Sequence, residues 1–93
     1  MKIIYSDHLR LRLSVRKLPE ELPKKIFLEA EERFHDVETG NAVAVMKARY
    51  YGKERDVTVA YAMESGTAKL ITITPLKFGE KDRRVRKGRW KPL

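Results

Sequence analysis

Taken by its hydrophobic and polar positions, the chain begins with "MKIIY", a short run of β-forming residues. It then passes into "SDHLRLRLSVRK", where Ser6 or Asp7 is placed to cap a helix by accepting its free N–H groups. The pattern predicts a strand over 2–5 and a helix over 7–17. Next, "LPEELPKKIFLEAEERF" sets Leu22, Ile26, Phe27, Ala30 and Phe34 at helical spacing, with Pro19 or Pro23 suited to a first turn. A second helix ending near Phe34 is expected.

After the turn-like "DVETGN" the pattern becomes β-rich, in three runs split at Gly52-Lys53 and Ser65-Gly66, where glycine supplies the positive φ of tight hairpins. This predicts an antiparallel meander over 42–50, 54–63 and 68–75. In the middle run Val57, Val59, Tyr61 and Met63 share one face, while Asp56, Thr58, Ala60 and Ala62 share the other. The larger apolar face should pack on the helices and the smaller, more polar one should stay open. The expected fold is α+β, β-α-α-β-β-β, with an antiparallel sheet against two N-terminal helices and a basic tail over 77–93. There is no internal repeat and no linker, so residues 1–93 read as one domain.

Charge sharpens this picture. The formal net charge is +8, and residues 76–93 hold eight Lys or Arg against Glu80 and Asp82, a surplus of six that leaves only two for the rest. Such a local surplus points to a polyanion, because each phosphate neutralised releases condensed counterions. The tail lacks the apolar helical stripe of a membrane anchor, which favours nucleic acid over a lipid surface. No apolar stretch is long enough to span a bilayer and no signal-peptide pattern begins the chain, so a cytoplasmic location is expected. Without cysteine, and with His8 and His35 far apart, neither a metal nor another cofactor is expected.

At about 100° per residue, His8, Arg12 and Arg16 form one stripe of the first helix, with Leu11 and Val15 on one side and Leu9 and Leu13 on the other. The stripe then runs along the rim of the core, toward another part of the protein or a ligand. Alternatively the arginines snorkel over apolar surface and His8 simply starts the helix. Lys47 and Arg49 alternate on one strand face and Arg55 begins the next strand, so the three can line a positive groove or stand as solvated charges near Glu54 and Asp56. His35 is expected at a helix C-terminus, where the dipole favours a cation. Tyr50, Tyr51 and Tyr61 are β-formers that stack on bases only if exposed. In "DRRVRKGRW", Arg83, Arg84, Arg86, Lys87 and Arg89 are too dense for a core segment, whereas Trp90 is costly to expose. Trp90 either docks, holding Arg89 at the groove with Gly88 as the bend, or stacks on a base; a frayed terminus is the alternative.

The segment "SDHLRLRLSVRKLPEEL", the meander with "KLITITP" and the closing "GRW" together resemble small domains of unknown function related to the RelE and BrnT toxins of type II toxin–antitoxin modules. In those relatives the first helix often begins with a histidine followed by basic residues, matched here by His8, Arg12 and Arg16. The resemblance implies a metal-independent endoribonuclease acting on mRNA, with the ribosome as a candidate site of action and an antitoxin protein as partner. Ribosome-dependent members often carry a tyrosine near the C-terminus; this chain has none after Tyr61, and Trp90 cannot transfer a proton as a phenol does.

Metal-free RNA cleavage uses the ribose 2′-hydroxyl as nucleophile, so it needs a base, an acid and cations for the charge building on phosphorus. Histidine, which titrates near neutrality, suits the first two roles and points to His8. Arg12 and Arg16 offer forked N–H groups for a phosphate, with Arg89 a further catalytic candidate. Arg16, Lys47, Arg49, Arg55, Arg83, Arg84, Arg86, Lys87 and Trp90 are the candidate RNA contacts. An antitoxin would cover these cations with an acidic amphipathic segment. The alternative function is a non-catalytic RNA- or DNA-binding module, and a relative with only a structural role is a third.

Overall fold

The computed structural model describes all 93 residues. Strand β1 (Lys2–Tyr5) leads into helix α1 (Asp7–Arg16), capped by Ser6. The Ser6 hydroxyl accepts from the Leu9 N–H at 3.0 Å and donates to the Ile71 carbonyl at 2.9 Å, so one side chain caps the helix and ties it to the sheet.

Helix α2 (Leu22–Glu29) is shorter than the apolar spacing predicts. Ala30 is already extended, and Glu32–Asp36 forms strand β2, which makes Phe34 a strand residue rather than a helix end. Continuing the helix would set Glu29, Glu31 and Glu32 at the negative end of its dipole. As a strand residue, Phe34 pairs with Val43 and stacks on Trp90 with ring centroids 5.5 Å apart. His35 accordingly lies exposed on β2, and is not the helix-terminal cation that was expected.

Strands β3 (Ala42–Tyr50), β4 (Lys53–Glu64) and β5 (Thr67–Pro75) form the antiparallel meander. Its first hairpin turns at Tyr51-Gly52, both with positive φ (53° and 77°), the backbone whose twist matches the flanking strands.

The C-terminal stretch, expected as a basic tail, folds as helix α3 (Glu80–Arg86) and strand β6 (Trp90–Pro92). Strand β6 pairs antiparallel with β2, and β1 pairs parallel with β5. The sheet therefore has six strands in the order β1-β5-β4-β3-β2-β6 and is mixed, not antiparallel throughout. The fold is α+β.

Alternation sends the two faces to two cores. On one side Val57, Val59 and Tyr61 meet Leu9, Leu13, Ile26 and Phe27 of α1 and α2, as the larger apolar face predicts; Met63, at the strand end, is exposed. On the other side Phe34, Val43, Val45, Leu76 and Trp90 form a smaller core, against which Val85 of α3 packs. That second core explains why the C-terminus is ordered, and why the polar face is only partly open.

Candidate nucleic-acid interface

Strand β5 carries one extra residue: Leu70 pairs with Tyr61 and Thr72 with Ala60, leaving Ile71 between them as a bulge. The bulge shifts the alternation, so that Leu70 and Ile73 both enter the helix-side core while Thr72 and Thr74 face the other side. Together with Thr58 of β4 they floor a pocket of about 230 Å³, lined also by Asn41, by Asp36 and by Arg84, Arg89 and Trp90 of the C-terminal segment. Thr58 is only 5% exposed, and its Oγ1 has no hydrogen-bond partner. Buried hydroxyls are nearly always partnered, so the floor of this pocket holds an unused donor and acceptor.

Asp36 anchors the wall. It accepts from Arg89 Nε and Nη2 at 3.3 and 3.2 Å, from Trp90 Nε1 at 3.3 Å and from the Glu38 N–H at 2.9 Å. Burial pushes its carboxyl up, but the Arg89 hydrogen bonds, the Glu38 N–H, the Arg89 charge and the Trp90 N–H outweigh burial and leave it below the usual carboxylate range. The same hydrogen bond raises Arg89 above its ordinary value against an opposing cost of burial. Arg89 also lies 3.3 Å from Glu38 Oε2. It is thus held at the pocket with Nε and Nη2 engaged and Nη1 unbonded. Trp90 is 1% exposed, stacked on Phe34 and 4.9 Å from the Arg84 guanidinium. It takes the docked alternative, and a nucleobase has no access to its ring. Arg84 in turn pairs with Glu80 one helical turn back.

Arg12 approaches from the opposite side of the sheet. Only residues 67–70 of β5 pair with β1, and beyond them Arg12 Nη1 donates to the Ile73 carbonyl at 3.2 Å and to Thr74 Oγ1 at 3.4 Å. It reaches the pocket floor through Thr74, and no carboxylate pairs with it. The stripe does run along the rim, but only Leu9 and Leu13 of its bracketing residues are buried; Leu11 and Val15 are exposed. Arg16 is drawn elsewhere, donating to the Tyr50 hydroxyl at 2.8 Å. His8 is exposed on α1 one turn before Arg12, outside the pocket lining.

The remaining candidates fall into two groups. Lys47 and Arg49 are exposed on β3, and Lys47 lies 3.7 Å from Asp56, the solvated strand pairing weighed from the sequence; Arg55 donates Nη2 to the Leu76 carbonyl at 3.1 Å. Arg83, Arg86 and Lys87 are exposed on and just after α3 without acidic partners. Arg83 and Lys87, with Arg84 and Arg89, line a shallow depression of about 400 Å³ that continues from the threonine pocket. Tyr50 and Tyr61 are buried, while Tyr51 is exposed with its hydroxyl donated to the Arg16 carbonyl at 2.8 Å. Sequence reasoning passed over Thr58, Thr72, Thr74 and Asn41. The alternation in "LITITP" was the available signal, and without the bulge it does not say which face the threonines take.

A second cleft, between β1 and α1, is lined by Tyr5, Arg10, Leu13 and Glu20. It is closed by structural bonds: the Tyr5 hydroxyl donates to the Glu20 carbonyl at 2.7 Å and accepts from the Lys24 N–H at 3.2 Å. No three His, Asp or Glu side chains gather as a metal site, and no helix is long and apolar enough to cross a membrane. Compared with family models, curated proteins and solved structures, the chain has no match.

Proposed function

We propose that this protein is a RelE/BrnT-like toxin of a type II toxin–antitoxin module, a metal-independent endoribonuclease that takes mRNA across its threonine face, with the ribosome as its setting. The observation that carries this reading is the idle, buried Thr58 hydroxyl beneath a pocket rimmed by Arg84 and Arg89 and touched by Arg12 through Thr74. An RNA phosphate in this pocket accepts from the Thr58 hydroxyl and from the Arg84 and Arg89 guanidinium N–H groups, and further phosphates along the strand meet the rest of the cation surplus.

A strand leaving this pocket over the open edge of β5 passes α1, where His8 precedes Arg12 on the same stripe. There the His8 imidazole takes the 2′-hydroxyl proton, the 2′-oxygen bonds to phosphorus, and the P–O5′ bond breaks. The products are a 2′,3′-cyclic phosphate and a 5′-hydroxyl, whose proton comes from water on this exposed face. Arg12 stabilises the charge that builds on the phosphoryl oxygens. The depression around Arg83 and Lys87 extends the path for the backbone. An acidic antitoxin segment laid along the same cations would block it in the cytoplasm until needed.

One observation favours the second reading, a binding module without catalysis: the pocket lining holds no imidazole, and its one carboxylate, Asp36, is taken up by four donors. Cleavage mapping on mRNA, with and without ribosomes, separates the two. Cuts made by the wild type and lost in His8→Ala and Arg12→Ala, with RNA binding retained, support the nuclease. Binding by the wild type with no cuts in either condition leaves the binding module.

A further inference from the structure

Phe78 is fully exposed, at 106% of its reference area. It occupies the second position of the turn Lys77–Glu80, closed by the Glu80 N–H donating to the Lys77 carbonyl at 3.0 Å, with Gly79 at φ 78° and ψ −3° as a type II turn requires. A second bond braces it, from the Lys77 N–H to Glu80 Oε1 at 2.9 Å. Glu80 is in turn paired with Arg84, a wall of the threonine pocket. The ring is therefore held out by a fixed turn, and a ligand that uses it has little chain left to order.

Phe78 lines a cavity of about 400 Å³ together with Lys47, Lys53, Arg55, Asp56 and Lys77. Arg55 uses Nη2 on the Leu76 carbonyl, but its Nε is buried without a partner. Glu54 also contributes to the lining, and Asp56 is engaged by Lys47. An exposed aromatic face ringed by lysines is what a stacked base on a phosphate backbone uses. An apolar protein side chain would use the ring and leave Lys53 and Lys77, which pair with no carboxylate, unmatched. Asp56 of this cavity and Thr58 of the other are successive same-face residues of β4, about 7 Å apart, so the two cavities are neighbours.

We infer that this second cavity takes one unpaired nucleobase, stacked on Phe78, beside the phosphate in the threonine pocket; the inference rests on the RNA reading above. A base must leave its helix to stack there, so the protein selects single-stranded over duplex RNA.

The test uses the full chain, a short single-stranded RNA with 2-aminopurine placed at successive positions, and a duplex of the same sequence, for wild type, Phe78→Ala and Phe78→Trp. Phe78→Ala is expected to weaken single-strand binding about tenfold and leave the salt slope unchanged, since no cation is lost. Phe78→Trp should retain affinity, and 2-aminopurine at one position should be quenched by wild type but not by Phe78→Ala. The ring has no neighbours to lose, so the far-UV circular dichroism should not change. Single-strand affinity equal to wild type in Phe78→Ala, or an equal loss on duplex, overturns the inference while the RNA reading stands. Altered self-association of Phe78→Ala in sedimentation with unchanged RNA binding also overturns it, and assigns the ring to a protein contact. A wild type that binds no RNA removes both.

Discussion

Replacing Thr58 with valine should push stability and function in opposite directions. The side chain is 5% exposed, lies between Val45 of β3 and Thr74 of β5, and has an Oγ1 without a partner. A hydroxyl buried without a hydrogen bond costs about 1–3 kcal/mol in proteins. Valine keeps the shape and the β-branch that the strand favours, and carries no polar atom to desolvate. Thr58→Val should therefore stabilise the fold by about 1 kcal/mol, which for a chain of this size raises Tm by about 4–8 °C. The sole tryptophan, Trp90, is buried and reports unfolding by its fluorescence in a urea titration. RNA affinity should fall about tenfold or more, the worth of one hydrogen bond to a charged phosphate. Thr72→Val is the control, since Thr72 is only partly buried and should change stability little. Destabilisation of Thr58→Val by about 1 kcal/mol or more would refute the reasoning, because the hydroxyl would then have a structural partner. Stabilisation with unchanged RNA binding would remove the phosphate from this pocket.

Further consequences concern the elements that build the pocket. Asp36→Asn should cost about 2–3 kcal/mol in the same urea titration, because the charge-assisted bonds to Arg89 are lost. Since the Asp36 carboxyl in the folded state lies below its ordinary 3.8, its stabilisation is present above that value and lost as pH falls through the lower folded value. The acid limb of the stability curve should therefore be flatter in Asp36→Asn than in wild type. Ser6→Ala removes a cap and the tie to the bulge at once, and should lower stability by about 1–2 kcal/mol and speed hydrogen exchange at the Leu9 amide. Gly88 has φ 81° and nothing within 4 Å of an added Cβ, so Gly88→Ala should cost only the backbone penalty of about 1–2 kcal/mol by calorimetry, and Gly88→Asn less. Arg12→Ala should reduce the salt slope of RNA binding by about one, measured as affinity against salt concentration.

The amino-acid sequence by itself determined the parts of this fold that depend on near neighbours. Ser6 with its following apolar positions set the start of α1, glycines at 52 and 66 set the two hairpins, and the alternation of Val57, Val59 and Tyr61 marked the buried face. It also placed Arg12, Arg84 and Arg89 among the candidate ligand groups, and marked Trp90 as a residue that docks or stacks. What lay beyond it depended on partners far along the chain. Phe34 keeps helical spacing with Ile26 and Phe27 yet is a strand residue, because Val43 and Trp90 supply a ladder and a stacking partner. Asp36 meets Arg89 across 53 positions, and that contact, with the β2–β6 pairing, turns an apparent basic tail into a pocket wall. The threonine floor depended on one unpaired residue, Ile71, whose bulge reverses the faces of everything after it. Periodicity reports which residues share a face within one element. Which element lies against that face, and whether a hydroxyl there finds a partner, is decided only when the chain closes on itself.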